Sequence, residues 1–340
     1  NLIGSAGWNY LINRKLFATF TGGYTRYRSH IIQKQNAFVS SADKSGQVYF
    51  QEGHYRSAME DVNLRASFDY RPNVDHRIRM GSDYLFHLFR PEQSNMSSWY
   101  KDSVVSQMNN TVFSHSLIHG HEVSLYAEDE MLLTDRLRVN AGLRFTLFHV
   151  QGETYQSFQP RFSARYLLGR NLSAKVSYTK MNQYIHLLSN SYISQPTDIW
   201  VPVTGNIRPM HAHQVTGGLF WHYKGLDFSA EGYYKRMNNL VEYKDNGPVL
   251  PSFAGWEDRV GVGKGRSYGL ELIVQKKTGR FNGWIGYTLS WSDRWFPDGT
   301  VNKGHRFPSK YDNRHKVDIV TSYKLSKKVE LTAAWMYKSG

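Results

Sequence analysis

The stretch Phe281-Asn282-Gly283-Trp284-Ile285-Gly286-Tyr287-Thr288-Leu289-Ser290-Trp291-Ser292 decides how this sequence folds. Phe281, Ile285, Tyr287, Leu289 and Trp291 share one parity, whereas Asn282, Thr288, Ser290 and Ser292 share the other. Successive side chains of a strand point to opposite faces, so this alternation makes a strand with one apolar and one polar face. The same period recurs upstream. Leu137, Val139, Ala141, Leu143, Phe145 and Leu147 alternate with Arg138, Asn140, Gly142, Arg144 and Thr146. Val62, Leu64, Ala66, Phe68 and Tyr70 alternate with Asn63, Arg65, Ser67 and Asp69.

About fourteen such segments run near 2–11, 15–29, 59–71, 77–90, 120–132, 136–148, 160–168, 171–181, 212–223, 226–239, 266–277, 281–292, 314–325 and 329–338. At roughly 9–14 residues each they exceed the usual globular strand of about 5–6. They match the roughly 9–11 residues that a tilted strand needs to cross a bilayer. Their connections alternate between short and long. Short polar turns fall at 13–14, 72–76, 133–135, 169–170, 224–225, 278–280 and 326–328, and long segments at 30–58, 91–119, 149–159, 182–211, 240–265 and 293–313. Long loops gathered at one end are the habit of outer-membrane barrels, with short periplasmic turns and long extracellular loops. The expected fold is therefore all-β, a transmembrane antiparallel up-and-down barrel.

Composition agrees. The 340 residues are 40% hydrophobic and 15% aromatic, with 28 Gly but only 10 Pro and no Cys. Without cysteine there is no disulfide framework, thiolate zinc site, iron–sulfur cluster or cysteine nucleophile. Apolar runs such as Ala333–Tyr337 fall far short of the roughly 18 residues of a spanning helix. The net charge of +14 would ordinarily suggest nucleic acid. However, the long segments 31–57, 92–119, 150–158, 184–210, 241–265 and 293–313 hold 12 Lys+Arg against 13 Asp+Glu, so the basic excess sits on strands and short turns. Nucleic acid is not the expected partner. Membrane lipid and lipopolysaccharide are.

In this arrangement Val139, Leu143, Ile285 and Leu289 face lipid, while Arg65, Arg77, Arg79, Arg138, Arg144, Arg161, Arg165, Lys175, Glu271 and Lys316 line the lumen. Tyr192, Trp200, Phe253, Trp256, Trp295 and Phe296 set large aromatics in the long loops, either to stack on an extracellular ligand or to pack the loops together. His119 with His121, and His211 with His213, are i,i+2 pairs whose imidazoles point to one side, as a metal site would require. His115, Met96 and Met108 share the first pair's region. With 14 His in the chain, chance pairs are the expected reading, and His is also at home at a strand rim, so no metal and no cofactor is assigned. Gly265-Arg266-Ser267-Tyr268-Gly269 formally matches a G-x-S-x-G nucleophile elbow, but that motif needs a strand-to-helix turn, and here it opens a strand.

The segment from Arg266 to Gly340 resembles the later barrel strands of TonB-dependent outer-membrane receptors, particularly those of Bacteroides-like bacteria. Gly269-Leu270-Glu271, Tyr311-Asp312-Asn313-Arg314-His315 and the closing Trp335–Gly340 carry the likeness. Upstream, Gln159–Arg165, MNQYIHLL at 181–188, PTDIWVPV at 196–203 and EGYYKRMNNLVEYKD at 231–245 resemble the family in the same order, so the match spans roughly 120–340. The resemblance implies a 22-stranded barrel with a plugged lumen, of which residues 1–340 would be a central part lacking the plug and the terminal strands. The start at Asn1, with neither Met nor a signal-like segment, fits such a piece. The implied activity is TonB-driven import of a scarce ligand (siderophore, vitamin, metal complex, glycan or peptide) across the outer membrane of a Gram-negative bacterium. TonB would act through the plug, and a surface lipoprotein is a possible partner. A passive porin of about fourteen strands and an outer-membrane hydrolase remain the alternatives.

Overall fold

The computed structural model describes residues 1–41, 44–101, 106–114, 117–188, 199–245 and 255–339, with backbone alone at 35–41, 44–51, 92, 94, 96, 98–101 and 106–114. The chain order is β1 (Leu2–Asn13), β2 (Leu16–Ser41), β3 (Lys44–Tyr70), β4 (His76–Lys101), β5 (Ser106–Ser114), β6 (Ile118–Thr134) and β7 (Leu137–Val150). Then follow β8 (Glu153–Leu167), β9 (Leu172–Gln183), β10 (Ile185–Leu188), β11 (Ile199–Pro202), β12 (Met210–Tyr223) and β13 (Leu226–Tyr243). The last are β14 (Val260–Lys276), β15 (Phe281–Trp295), β16 (Phe307–Pro308), β17 (His315–Lys324) and β18 (Glu330–Lys338). Only two short 3-10 turns, Trp256–Arg259 and Asn302–Gly304, interrupt the strands among the described residues.

Fourteen strands pair antiparallel in the order β1-β2-β3-β4-β6-β7-β8-β9-β12-β13-β14-β15-β17-β18, with β5 added to β4 and β16 to β15. Each strand pairs with its predecessor through a short turn or a long excursion, which is the up-and-down connectivity the alternating loop lengths predict. The sheet is open: among the described residues no ladder joins β1 to β18.

Two long segments differ from expectation. Residues 30–58 extend the β2–β3 hairpin from Leu16↔Tyr70 as far as Ser41↔Lys44, giving strands of 26 and 27 residues. The ladder therefore runs well past the alternating segments 15–29 and 59–71. Residues 149–159 are a tight hairpin turning at Gln151 (φ 48°) and Gly152 (φ 86°), and the two positive φ values suit the twist of flanking strands. β7 and β8 stay paired up to Val150↔Glu153.

Candidate functional site

Register fixes which side chains share a face. Arg65, Asp83, Ser124, Thr146 and Ser157 lie directly opposite one another on β3, β4, β6, β7 and β8. This polar face is the concave one. The β10–β11 hairpin leaves the end of β9 and packs against β3 and β4 on one side and β13 on another. Strands so far apart in the order meet one hairpin only if the sheet curves around it.

All ten residues expected to line the lumen lie on that face, most of them tied to carboxylates. Asp83, its side chain 2% exposed, receives both Arg65 and Arg144, the latter at 2.8 Å. Arg79 pairs with Glu128 at 2.8 Å, Arg138 with Glu130 at 2.8 Å, Lys316 with Asp318 at 2.7 Å, and Arg77 with Asp69. Arg161 and Arg165 have no ion-pair partner among the described residues, and the Lys175 ammonium lies 4.1 Å over the Phe220 ring. Glu271 stands opposite Glu231 on β13. Arg65, Asp83, Tyr126, Glu128, Arg144 and Arg161 enclose a recess of about 170 Å³. A second, of about 360 Å³, lies among Glu130, Arg138, Arg165, Lys175 and Glu231. Cations outnumber carboxylates in both, so the wall attracts anions.

At the long-loop end the wall is roofed. In the β10–β11 hairpin, His186 faces Val201 and Leu188 faces Ile199 on the buried side, whereas Leu187 and Trp200 oppose one another on the other. Leu188, Ile199 and Val201 form a core with Ile207, Tyr243, Trp256 and Val260. A second core holds Phe89, Ile118, Phe148, Val150, Tyr184 and Val203. Within it the Phe148 and Tyr184 rings stack at 4.9 Å. Polar contacts close the roof onto the wall. The Tyr155 hydroxyl donates to the Thr204 carbonyl at 2.6 Å, and the Tyr184 and Ser157 hydroxyls lie 2.6 Å apart. Asn206 Nδ2 donates to Glu257 at 2.9 Å, joining the β9–β12 connection to the β13–β14 connection. Burial alone pushes the His186 imidazole down to about 4, and its Nε2 has no hydrogen-bond partner. Burial likewise lowers the Arg259 guanidinium to about 10.

The aromatic candidates separate into two groups. Trp256 and Phe296 are buried, at 3% and 0% exposure. Trp256 belongs to the roof core, and Phe296 stacks on Phe307 at 6.1 Å. Their position is that of loop packing. Trp200 stays half-buried beside Leu187, which is 41% exposed. Trp295 carries the Arg306 guanidinium 4.7 Å over its ring. Tyr192 and Phe253 lie outside the described residues, as does His115, and the Met96 and Met108 side chains are not described.

Each histidine pair does share one face, but it is the convex one. His121 Nδ1 lies 3.0 Å from the Tyr84 hydroxyl, and His119 stacks on Phe86 at 5.9 Å. His213 Nδ1 lies 2.8 Å from the Tyr178 hydroxyl, with His211 edge-on at 6.0 Å. The arrangement recurs at Tyr287 and His315, 2.8 Å apart. Behind all three is a repeat not noticed in the linear sequence, His121-x-Val123, His213-x-Val215 and His315-x-Val317. Each repeat enters a strand after a long excursion, with the tyrosine opposite the valine. Among the described residues no group of three or more His, Asp or Glu could hold a metal ion. The G-x-S-x-G stretch lies inside β14, where Ser267 sits in an unbroken ladder between Lys235 and Ser292, not at an elbow.

The same architecture occurs in solved structures. The complex of FpvAI with pyocin S2 superposes with a TM-score of 0.64 at 13% identity, over 99% of this chain and 46% of that one. The ferric-catecholate import receptor Fiu from E. coli K12 gives 0.61 at 14%, over 99% and 53%. The copper transporter OprC gives 0.59 at 11%, over 98% and 57%. At such identities the likeness is one of fold, and the chain spans about half the length of these proteins. No curated protein matches the sequence. The family model of the TonB dependent receptor-like β-barrel, however, matches residues 2–338. With its polar concave wall, apolar convex face and up-and-down strands, this chain belongs to the TonB-dependent receptor β-barrel family of the Gram-negative outer membrane.

Proposed function

We propose that residues 1–340 form part of the wall and mouth of an energised importer whose barrel is completed, and whose lumen is plugged, by segments outside this range. Its unpaired edges at β1 and β18 support this, because an open edge leaves backbone donors and acceptors unsatisfied in lipid. The observation that carries the reading is the β10–β11 hairpin, packed as a roof over a basic wall inside a chain of this family. A passive pore has no use for a mouth closed by two apolar cores. The exposed Leu187 and half-buried Trp200 give an incoming ligand an apolar surface, and the recesses around Arg144 and Arg165 favour negative charge below it. Among the ligand classes open to the family, an anionic metal chelate of the siderophore class fits best. TonB would supply the pull that moves the plug.

Uptake of radiolabelled ferric chelates by cells carrying the full-length protein tests the reading. Uptake is expected to vanish when TonB is deleted. Uptake indifferent to TonB would establish a passive channel instead.

A further inference from the structure

The short-turn end of the lumen carries a charge imbalance that the roof does not explain. Arg138 on β7, Arg165 on β8 and Lys175 on β9 stand directly opposite one another on the concave face, close to the turns at 133–135 and 169–170. Like charges opposed across a ladder are destabilising, and here two such pairs share Arg165. Neighbouring strands are about 4.8 Å apart, so the three side chains spring from within roughly 10 Å. Their compensation is incomplete. Arg138 holds Glu130 at 2.8 Å, whereas the Lys175 ammonium has the Phe220 ring at 4.1 Å, a partner without net charge. Arg165 is exposed and has no ion-pair partner among the described residues. The same holds for Arg170, exposed in the turn just below. Glu231 lies two strands beyond Lys175, opposite Glu271.

Arg165 lines two recesses. The upper, of about 360 Å³, is furnished with neutral donors, since the next tier reads Asn140, Ser163, Ser177 and Thr216 on β7, β8, β9 and β12. The lower, of about 560 Å³, lies at the short turns among Arg165, Arg170 and Lys277. Its one lining carboxylate, Asp227, is already taken by Lys277 at 2.8 Å and His222 at 2.6 Å.

Under-compensated cations beside hydroxyl and amide donors suit an anion with several oxygens, which can accept charge-assisted bonds from more than one strand at once. We propose that Arg165, Lys175 and Arg170 form an exit site at the periplasmic mouth of the lumen, where oxyanionic groups of the imported ligand are held before release. Arg165 reaches both recesses, Lys175 serves the upper and Arg170 the lower, so an anion can pass from one to the other without losing its counter-charge. The direction of travel rests on the import reading. The binding chemistry does not, and it is measurable on the receptor at rest.

Purified full-length receptor is titrated with inorganic pyrophosphate, and the temperature at which heat-modifiable migration is lost is recorded. Pyrophosphate should raise that temperature in the wild type, because an anion that binds only the folded wall stabilises it. In Arg165→Gln/Lys175→Gln the anion should bind on the order of tenfold more weakly, and the anion-free variant should unfold no earlier than wild type, since a repulsion has been removed. A charge-matched control in the β17–β18 turn, Lys327→Gln/Lys328→Gln, lies outside both recesses and should respond like wild type. In cells, the double variant should bind a trianionic ferric tris-catecholate at the surface as before, while its TonB-dependent uptake slows by about tenfold. A wild type indifferent to pyrophosphate would overturn the site, as would a double variant that responds like wild type or a control that responds no better than the double variant. An anion-free double variant that unfolds early and admits vancomycin would overturn it too, because the two cations would then be holding a carboxylate of the plug. Unchanged uptake in a variant that has lost its pyrophosphate response would remove the exit role. Wild-type cells that take up no ferric chelate count against the import reading alone, and the pyrophosphate titration still decides the site.

Discussion

Leu143 and Arg144 are adjacent in the sequence but stand on opposite faces of β7, and exchanging their character tests the whole assignment of sides. Leu143 is 47% exposed on the convex face, opposite Ala127 and Pro160 near the middle of its strand. Arginine there would sit close to the bilayer midplane at a cost of about 2–4 kcal/mol. At 1.4 kcal/mol per tenfold, that is a drop of roughly 30- to 700-fold in the equilibrium between inserted and uninserted chain. Arg144→Leu removes one of two arginines from Asp83 but leaves Arg65 in place, so the carboxylate keeps a counter-ion. The expected loss is about 1 kcal/mol with no insertion cost. Both substitutions are made in the full-length protein, and assembly is read from the heat-modifiable fraction in outer-membrane preparations. Leu143→Arg should deplete that fraction strongly and Arg144→Leu should leave most of it. Equal assembly of the two variants would refute the assignment of faces.

Two further expectations concern the roof. His186 has its folded-state value lowered to about 4 from an ordinary 6.5, so the unfolded hairpin binds the proton more readily. Its contribution is complete above about pH 6.5 and fades as the pH falls towards 4, an effect of at most about 3 kcal/mol. Hydrogen exchange of residues 185–188 and 199–202 should accelerate over that window, and His186→Leu should flatten the response; an unchanged pH profile in that variant would contradict it. Trp256→Ala should loosen the roof by roughly 3–5 kcal/mol, the usual cost of emptying a buried aromatic site. Trp200→Ala, on the open side of the hairpin, should weaken ligand binding without changing local exchange. Reversed effects of the two tryptophans would place the ligand surface elsewhere.

The wall was legible in the sequence and the roof was not. Alternation of Leu143 with Arg144, or Ile285 with Thr288, separates the faces because a strand has only two, and burying the wrong one in lipid is expensive. The same alternation says nothing of where the bilayer ends, so the β2–β3 ladder runs on through residues expected to form a loop. The period also places His119 and His121 at the parity of Val123, Leu125 and Ala127, hence on the apolar side, where Phe86 and Tyr84 flank them. Roof residues such as Leu188, Ile207, Trp256 and Val260 follow no period, because they meet through tertiary contact between two connections far apart in sequence. In the sequence a buried Trp256 and an accessible Trp200 look alike.

The three tyrosine–histidine pairs have a mechanical consequence. Tyr84–His121, Tyr178–His213 and Tyr287–His315 are spaced around the sheet, each with its apolar strand on one side and its polar connection on the other. Such pairs are comfortable only where hydrocarbon gives way to headgroups, so sliding the wall along its axis would drag all three from their level together. Under the proposed mechanism something inside the barrel is hauled towards the periplasm, and by reaction the barrel is tugged the same way. Three widely separated floats oppose both sinking and tipping, and the receptor keeps its waterline while its contents move.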